Sequence, residues 1–207
     1  MGTSLLDILH QPSDRQQGRI YGVAVGIVSN NKDPQNLGRV RMKFPWLSDD
    51  HESGWARMAM PMAGGGRGVY FLPEVNDEVL VAFEHGDVRF PYVIGSMWNG
   101  QDAPPSDNSD GQNNIRVIHS RSGHLVRLDD SDGAEKIEII DGSGNNSITI
   151  ETASNNITIS CKGKLTLEAD MGVEITSQTS VIVKANTTLD MEATGQTTLK
   201  GSLVSIN

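Results

Sequence analysis

The chain has 207 residues, of which 37% are hydrophobic, and its 26 acidic against 17 basic residues give a formal net charge of −9. The apolar content is too high for a disordered chain, no apolar run reaches the roughly 18 residues of a membrane span, and the single Cys161 excludes an internal disulfide framework. The acidic balance also argues against a phosphate-backbone partner, so we expect a folded protein that does not bind nucleic acid.

The N-terminal segment, residues 1–17, is expected to dock onto another protein. Its stretch Ser4–His10 is rich in large aliphatic residues but is too short to hold a helix or build a core alone. A disordered terminus is the alternative. The four aliphatic residues predicted to make the contact are Leu5, Leu6, Ile8 and Leu9.

Residues 18–100 are predicted to form a small β-barrel. All ten aromatic residues of the chain lie between Tyr21 and Trp98, and short β-rich segments alternate there with turn signals. The predicted strands are Ile20–Val28, Gly38–Phe44, Val69–Leu72, Glu78–Phe83 and Phe90–Ile94. The predicted turns are Asn30–Asn31, Asp49–Asp50, Gly64–Gly66, Asn76–Asp77 and Gly86–Asp87.

A repeat dominates the last part of the chain, residues 115–207, which follows a polar linker over residues 101–114. From about Asn145 onward, apolar residues recur as pairs two residues apart, and successive pairs begin about eight residues apart. Side chains two apart on a strand face the same way, so each octad predicts a strand with two inward aliphatic residues. The six strong pairs are Ile148/Ile150, Ile157/Ile159, Leu165/Leu167, Val173/Ile175, Val181/Val183 and Leu189/Met191, and a weaker Thr197/Leu199 and then Val204/Ile206 follow them.

Three architectures could use these octads. A flat meander would leave its aliphatic face uncovered unless a second sheet packed on it. A single-chain solenoid with three octads per coil would complete fewer than the about three coils that such stacks need. A homotrimer in which each chain adds one strand to every layer closes a prism without free side edges, and each inward aliphatic side chain then contributes about 1.5 to 3 kcal/mol. We therefore favour a homotrimeric prism whose core is the six strong pairs.

Two stretches resemble a known family. They are Gly38–Trp46, which reads GRVRMKFPW, and Trp55–Gly100, which contains MPMAGGGRGVYFLPEVNDEVLVAFEHGD and RFPYVIGSMWNG. Both resemble the OB-fold domain of contractile-tail spike proteins, a family that includes phage baseplate assembly protein V, the VgrG proteins and the spikes of extracellular contractile injection systems. The resemblance implies an all-β chain, with an N-terminal OB-fold barrel followed by a C-terminal intertwined triple-stranded β-helix.

The resemblance also implies a function and partners. The chain would be a non-enzymatic spike at the centre of a baseplate, assembled in the cytoplasm, that punctures the target cell envelope when the sheath contracts. Only about 17 residues precede the OB-fold, so the baseplate hub is expected to be a separate polypeptide that the N-terminal aliphatic residues contact. A small PAAR-type tip protein, which can carry an effector, is expected on the last five residues, unless local folding covers that end. These five are Leu203, Val204, Ser205, Ile206 and Asn207.

Two other functions compete with the spike. A trimeric β-helical tailspike enzyme that degrades surface polysaccharide would need paired carboxylates in an aromatic-lined groove, and no aromatic residue follows Trp98. A nucleic-acid-binding OB module is opposed by the acidic charge. No catalytic, cofactor or metal site is predicted, because Gly64–Gly68 lacks a P-loop ending, His119 and His124 lack further ligands, and Asp129–Gly133 is typical of a hairpin turn.

Overall fold

A computed structural model describes residues 18–206, apart from the side chains of residues 48–50. The described part is all β, with its strands in three sheets and a single 3₁₀ turn at Glu84–Gly86. No helix in this range is long and apolar enough to cross a membrane. The predicted docking residues of the N-terminal segment lie outside the described residues.

The first sheet curls into the predicted OB-like barrel. Its strands are β1 (Val23–Asn30), β2 (Arg41–Phe44), β3 (Ser48–Glu52), β4 (Arg57–Met58), β7 (Glu78–Phe83) and β8 (Pro91–Met97). Their spatial order is β3-β2-β1-β7-β8-β4, with β4 parallel to β8 and the other pairs antiparallel. A bridge between Val40 and Ala56 joins the start of β2 to the residue before β4 and so closes the barrel. A separate small hairpin consists of β5 (Ala63–Gly64) and β6 (Arg67–Gly68).

Alternating side chains fill the barrel. In β7, Val79, Val81 and Phe83 are buried, whereas the residues between them are half-buried, as expected of a strand with one face on the core. Gly26 of β1 permits close packing, because a Cβ atom there would lie 3.0 Å from the sulfur of Met42. The buried core consists of Val28, Val40, Met42, Phe44, Ala56, Val79, Val81, Phe83 and Val93.

Four of the five predicted barrel strands are present. The strand Glu78–Phe83 has the predicted bounds, and three others differ at their ends. The predicted strand Val69–Leu72 is wrong: Val69 donates one hydrogen bond to the Met62 carbonyl (3.0 Å), and the chain then leaves the hairpin with Phe71 62% exposed. The predicted turn Asp49–Asp50 is also wrong. These residues lie in β3, because the chain turns earlier, where the Leu47 N–H donates to the Phe44 carbonyl (2.9 Å).

The second sheet is a five-stranded antiparallel meander. Its strands are β9 (Ile115–His119), β10 (Leu125–Asp129), β11 (Lys136–Ile140), β12 (Ser147–Glu151) and β13 (Asn156–Ser160). Each strand pairs with the next along the chain. The predicted hairpin turn Asp129–Gly133 is confirmed between β10 and β11, where Gly133 has a φ of +72°.

The first two octads form β12 and β13. For these two octads, the expectation that the strands do not form a flat meander within one chain is wrong. A short turn at residues 152–155 reverses the chain, with Asn155 in the left-handed region at φ +55°, and the two strands then pair within one chain. The chain behaves differently from Cys161 to Ile206. No strand or strand pairing is found in that stretch, and the backbone bends at a strict interval of eight residues. The bends lie at residues 162–163, 170–171, 178–179, 186–187, 194–195 and 202.

Candidate functional site: an exposed aliphatic face

One face of the second sheet consists of two adjacent rows of aliphatic side chains. The antiparallel register places the members of each row directly opposite one another, so the first row forms a contiguous stripe across all five strands and the second across four. The first row is Ile118, Val126, Ile139, Ile148 and Ile159. The second row is Leu128, Ile137, Ile150 and Ile157. We call these nine residues the aliphatic face.

The aliphatic face is open to solvent in the single chain. Its members range from Val126, 37% exposed, to Ile157, 69% exposed. Isolated exposed aliphatic residues are ordinary on protein surfaces, but a contiguous apolar patch marks an interaction surface. A concave region of about 460 Å³ runs along the first row, and all five residues of that row line it. The chain therefore presents a sheet face that lacks its packing partner.

The opposite face of the sheet is mixed: it carries most of the charged side chains of the sheet together with Ile115, Val117, Leu125 and Ile140. Arg127 on β10 forms an ion pair with Glu138 on β11, and Lys136 lies 3.4 Å from the same carboxylate. Glu138 is only 9% exposed. Glu138 is thus more buried than any of the nine aliphatic residues on the other face.

The turns at one end of the sheet fix the strand register. Asp141, after β11, accepts hydrogen bonds from the Ser143 hydroxyl (2.7 Å) and the Asn146 N–H (3.1 Å). The Ser143 hydroxyl is the main cause that lowers the pKa of Asp141 from 3.8 to about 2. Gly142 lies so close to the neighbouring turn that a Cβ atom would approach the Ser122 carbonyl oxygen to 2.2 Å.

The predicted core residues fall into two groups, one on the aliphatic face and one beyond the sheet. The first four, in the pairs Ile148/Ile150 and Ile157/Ile159, lie on the aliphatic face. The other eight lie in the bent stretch, between 54% and 79% exposed, and this chain covers none of them. They are Leu165, Leu167, Val173, Ile175, Val181, Val183, Leu189 and Met191.

The predicted tip residues are also exposed. Leu203 is 85% exposed, Val204 46% and Ile206 86%, and Ser205 lies between them on the same open stretch. Asn207 is outside the described residues.

Five residues of the aliphatic face were not predicted from the sequence. The signal was present, because Val126/Leu128 and Ile137/Ile139 have the same two-residue spacing as the octad pairs. Long polar turns interrupt the eight-residue period before Asn145, so a search for that period does not reach them. The five residues are Ile118, Val126, Leu128, Ile137 and Ile139.

His119 and His124, considered above as possible metal ligands, lie in or directly beside strands of the second sheet. His119 ends β9, and the Nδ1 atom of His124 accepts a hydrogen bond from the Gly142 N–H (3.0 Å). Across residues 18–206, no group of three or more His, Cys, Asp or Glu side chains is arranged to hold a metal ion. The feature that this geometry supports is a protein-binding surface.

The barrel part of the chain matches a known protein family. Residues 24–98 match the family model described as the type VI secretion system/phage-baseplate injector OB domain, and these residues form most of the curled first sheet. The match confirms the OB-fold predicted for this part of the chain.

Curated relatives extend the similarity beyond the barrel. The chain is 31% identical over 138 residues to the type VI secretion system spike protein VgrG4b of Pseudomonas aeruginosa. The aligned residues cover 62% of this chain and 17% of that protein. The chain is 27% identical over 134 residues to VgrG1a of the same species, covering 59% and 21%. It is 30% identical over 128 residues to VgrG3 of Vibrio cholerae, covering 58% and 13%. The matches therefore span about a fifth or less of each relative.

Proposed function

We propose that this chain, which belongs with the VgrG-like proteins through its injector OB domain, is a structural spike of a contractile injection particle. In this role it forms a rigid needle at the centre of the baseplate and punctures the target cell envelope on sheath contraction. The relatives that support this role carry the name of spike proteins. The needle requires no catalysis, so we propose a non-enzymatic protein.

The observation that carries the proposal is the aliphatic face and its continuation into the octads. Nine aliphatic residues on a paired sheet are followed by regularly bent chain whose apolar pairs remain exposed. Burying such a surface is the main source of free energy for protein association. We propose that three copies bury it together, as a homotrimer.

Three copies together can bury the aliphatic face and also supply strand partners for residues 161–206. Two sheets stacked face to face would cover the aliphatic face, but they would leave the backbone of residues 161–206 without strand partners. In a threefold prism, each bent segment lies beside segments of two other chains, so interchain hydrogen bonds replace the missing pairing. The second sheet would then form the upper shaft and the octads an intertwined triple-stranded β-helix below it.

The shape suits the transmission of force. Force along the needle axis is shared by three covalent chains and by the hydrogen bonds between them. We propose that the particle is assembled in the cytoplasm and that the spike acts at the envelope of the target cell.

Two ends of the chain are assigned to partners. We propose that the hub of the baseplate contacts Leu5, Leu6, Ile8 and Leu9, and that a PAAR-type tip protein, with or without an effector, binds residues 203–207. The exposure of Leu203 and Ile206 supports the second assignment, because three uncovered copies of each would form an apolar platform.

Incorporation into particles tests the spike function. Deleting residues 1–15 is expected to leave the trimer intact and to prevent its incorporation. Truncation at Gly201 is expected to abolish binding of the tip protein, for which one copy per full-length trimer is predicted. Normal incorporation of the deleted chain, or no binding of the tip protein by full-length trimer, contradicts these assignments.

A polysaccharide assay separates the spike from the tailspike enzyme. Purified trimer is expected to leave the chain length of surface polysaccharide unchanged in size-exclusion chromatography. Shortening of the polysaccharide by the trimer would favour the enzyme.

A further inference from the structure

A groove crosses the barrel between the loop joining β1 to β2 and the β5–β6 hairpin. It has a volume of about 1170 Å³. Several of its lining residues are exposed large apolar side chains, among them Leu37 (65%) and Tyr70 (73%). Its apolar lining includes Leu37, Trp55, Met58, Met60, Met62 and Tyr70. Methionine side chains adapt to irregular partners and make favourable contacts with aromatic rings.

The groove is basic although the chain is acidic. Arg39, Arg57 and Arg67 line it, and no carboxylate among residues 18–206 does. Asp33 neutralises Arg39 through a 2.8 Å ion pair. Arg57 lies over the ring of Tyr92, and within the described residues neither it nor Arg67 has an ion-pair partner. We call this surface the arginine groove, and its charge favours an acidic partner with apolar side chains.

A second surface of the barrel has that complementary chemistry. Trp98, 68% exposed, follows β8 and borders a depression of about 340 Å³ together with Asp77, Glu78 and Asp102. In the part of the chain that the structure describes, no lysine or arginine lines this depression. We call these four residues the Trp98 knob, after the largely exposed indole side chain that borders the depression.

A local turn presents the knob. The Asn99 side-chain oxygen accepts hydrogen bonds from the N–H groups of Gln101 (2.8 Å) and Asp102 (2.7 Å). This arrangement holds Asp102 beside Trp98, at the point where the chain leaves the barrel. The knob and the groove share no lining residue, so they are separate surfaces of one chain.

Threefold symmetry requires such a pair of surfaces. A cyclic trimer is built from heterologous contacts, in which one surface of each copy meets a different surface of the next copy. Resting on the trimer proposed above, we infer that the Trp98 knob of each copy seats in the arginine groove of the next. Trp98 then packs on the methionines, and the knob carboxylates face Arg57 and Arg67.

Chemical crosslinking of the full chain tests this contact. In a Cys161→Ser background, which removes the exposed native thiol, Met60→Cys and Ala103→Cys place thiols in the groove and beside the knob. A short bismaleimide is expected to yield covalent dimers and trimers on denaturing gels. Either cysteine alone is expected to yield no groove-to-knob product.

Charge variants show whether the crosslink reports the proposed pairing. In the two-cysteine chain, Arg57→Asp with Arg67→Asp is expected to lower crosslinking at least about tenfold, because like charges then face each other. Adding Asp102→Arg with Glu78→Arg is expected to restore it. Lys43→Asp, at an exposed cation on β2 that does not line the groove, is expected to leave it unchanged.

Two failures are distinguishable. If light scattering gives a trimer but the two-cysteine chain does not crosslink between copies, or crosslinks equally well with Arg57 and Arg67 reversed, the groove-and-knob contact is overturned and the spike stands. If the groove binds a segment of the hub instead of the knob, the isolated trimer is likewise expected to show no crosslink that depends on Arg57 and Arg67. If the chain is a folded monomer, the proposed spike itself fails.

Discussion

Ile148 on β12 lies directly opposite Ile159 on β13, and both side chains belong to the exposed aliphatic face. The two residues come from successive octads. The repeat therefore begins with strands that pair within one chain, and it continues beyond Cys161 with chain that has no intrachain strand partner. This change is the structural basis for assigning the rest of the repeat to contacts between copies.

Neighbouring residues on β13 provide a matched test of the aliphatic face. Ile159→Asp is expected to abolish trimer formation, because threefold symmetry would bury three carboxylates together. Thr158→Asp places the same charge on the opposite face of the same strand and is expected to leave the trimer intact. Sedimentation velocity measures both, and circular dichroism checks that each chain keeps its β structure. Equal effects of the two substitutions would contradict the assignment of faces.

The octads allow the same comparison farther along the needle. Ile175→Asp is expected to prevent assembly, whereas Glu174→Asp at the next residue is expected to be tolerated. The reason is that side chains of adjacent residues on a strand point to opposite faces. The measurement is the fraction of trimer that survives denaturing electrophoresis without heating. A stable Ile175→Asp trimer would remove that residue from the core.

The barrel was largely predictable from the sequence because each of its strands carries its own signal. The strand Glu78–Phe83 alternates between buried and half-buried positions, and its bounds were predicted correctly. Val69–Leu72 has the composition of a strand but lies after a hairpin of only two residues per arm, so tertiary context leaves it unpaired. Asp49 and Asp50 have the composition of a turn, yet they lie within β3, in an irregular stretch between Ser48 and Glu52, the two residues that pair with β2.

The aliphatic face was predictable only in part. The spacing of Ile148/Ile150 and Ile157/Ile159 predicts two inward side chains per strand, but it does not reveal whether neighbouring octads pair within the chain or between chains. That choice depends on the turn at residues 152–155, where Asn155 adopts a positive φ. The arginine groove was not predictable, because Leu37 lies on the loop between β1 and β2 and Arg57 on β4, and only the closed barrel brings them together.

Gly142 tests the turns that hold the second sheet. Gly142→Ala is expected to destabilise the sheet by about 1 to 3 kcal/mol, because its Cβ atom would meet a backbone oxygen that cannot move independently. Gly163→Ala, where a Cβ atom would meet nothing within 4 Å, serves as the control. Urea denaturation followed by circular dichroism measures both variants. A Gly142→Ala protein as stable as Gly163→Ala would show that the two turns do not pack closely.

Acid is expected to weaken the β11–β12 turn. The pKa of Asp141 lies at about 2 in the folded protein, below its ordinary value of 3.8, mainly because the Ser143 hydroxyl donates to the carboxylate. A lowered folded-state pKa contributes stability that is complete above the ordinary value and is lost as the pH falls through the folded value. The contribution should therefore decline between about pH 4 and pH 2.

Denaturation series over this range measure that decline. Ser143→Ala is expected to raise the pKa of Asp141 and so reduce the dependence on pH, and Asp141→Asn is expected to remove the contribution of this residue. An Asp141→Asn protein with the same pH dependence as the parent would contradict the role of the carboxylate.

The mass of the intact protein in solution tests the central claim most directly. Multi-angle light scattering of the purified full-length chain is expected to give three times the 22.4 kDa of one chain, with no folded monomer on dilution, because the aliphatic face and the octads are buried only between copies. A folded monomer of 22.4 kDa, or a dimer stable on dilution, would contradict the account.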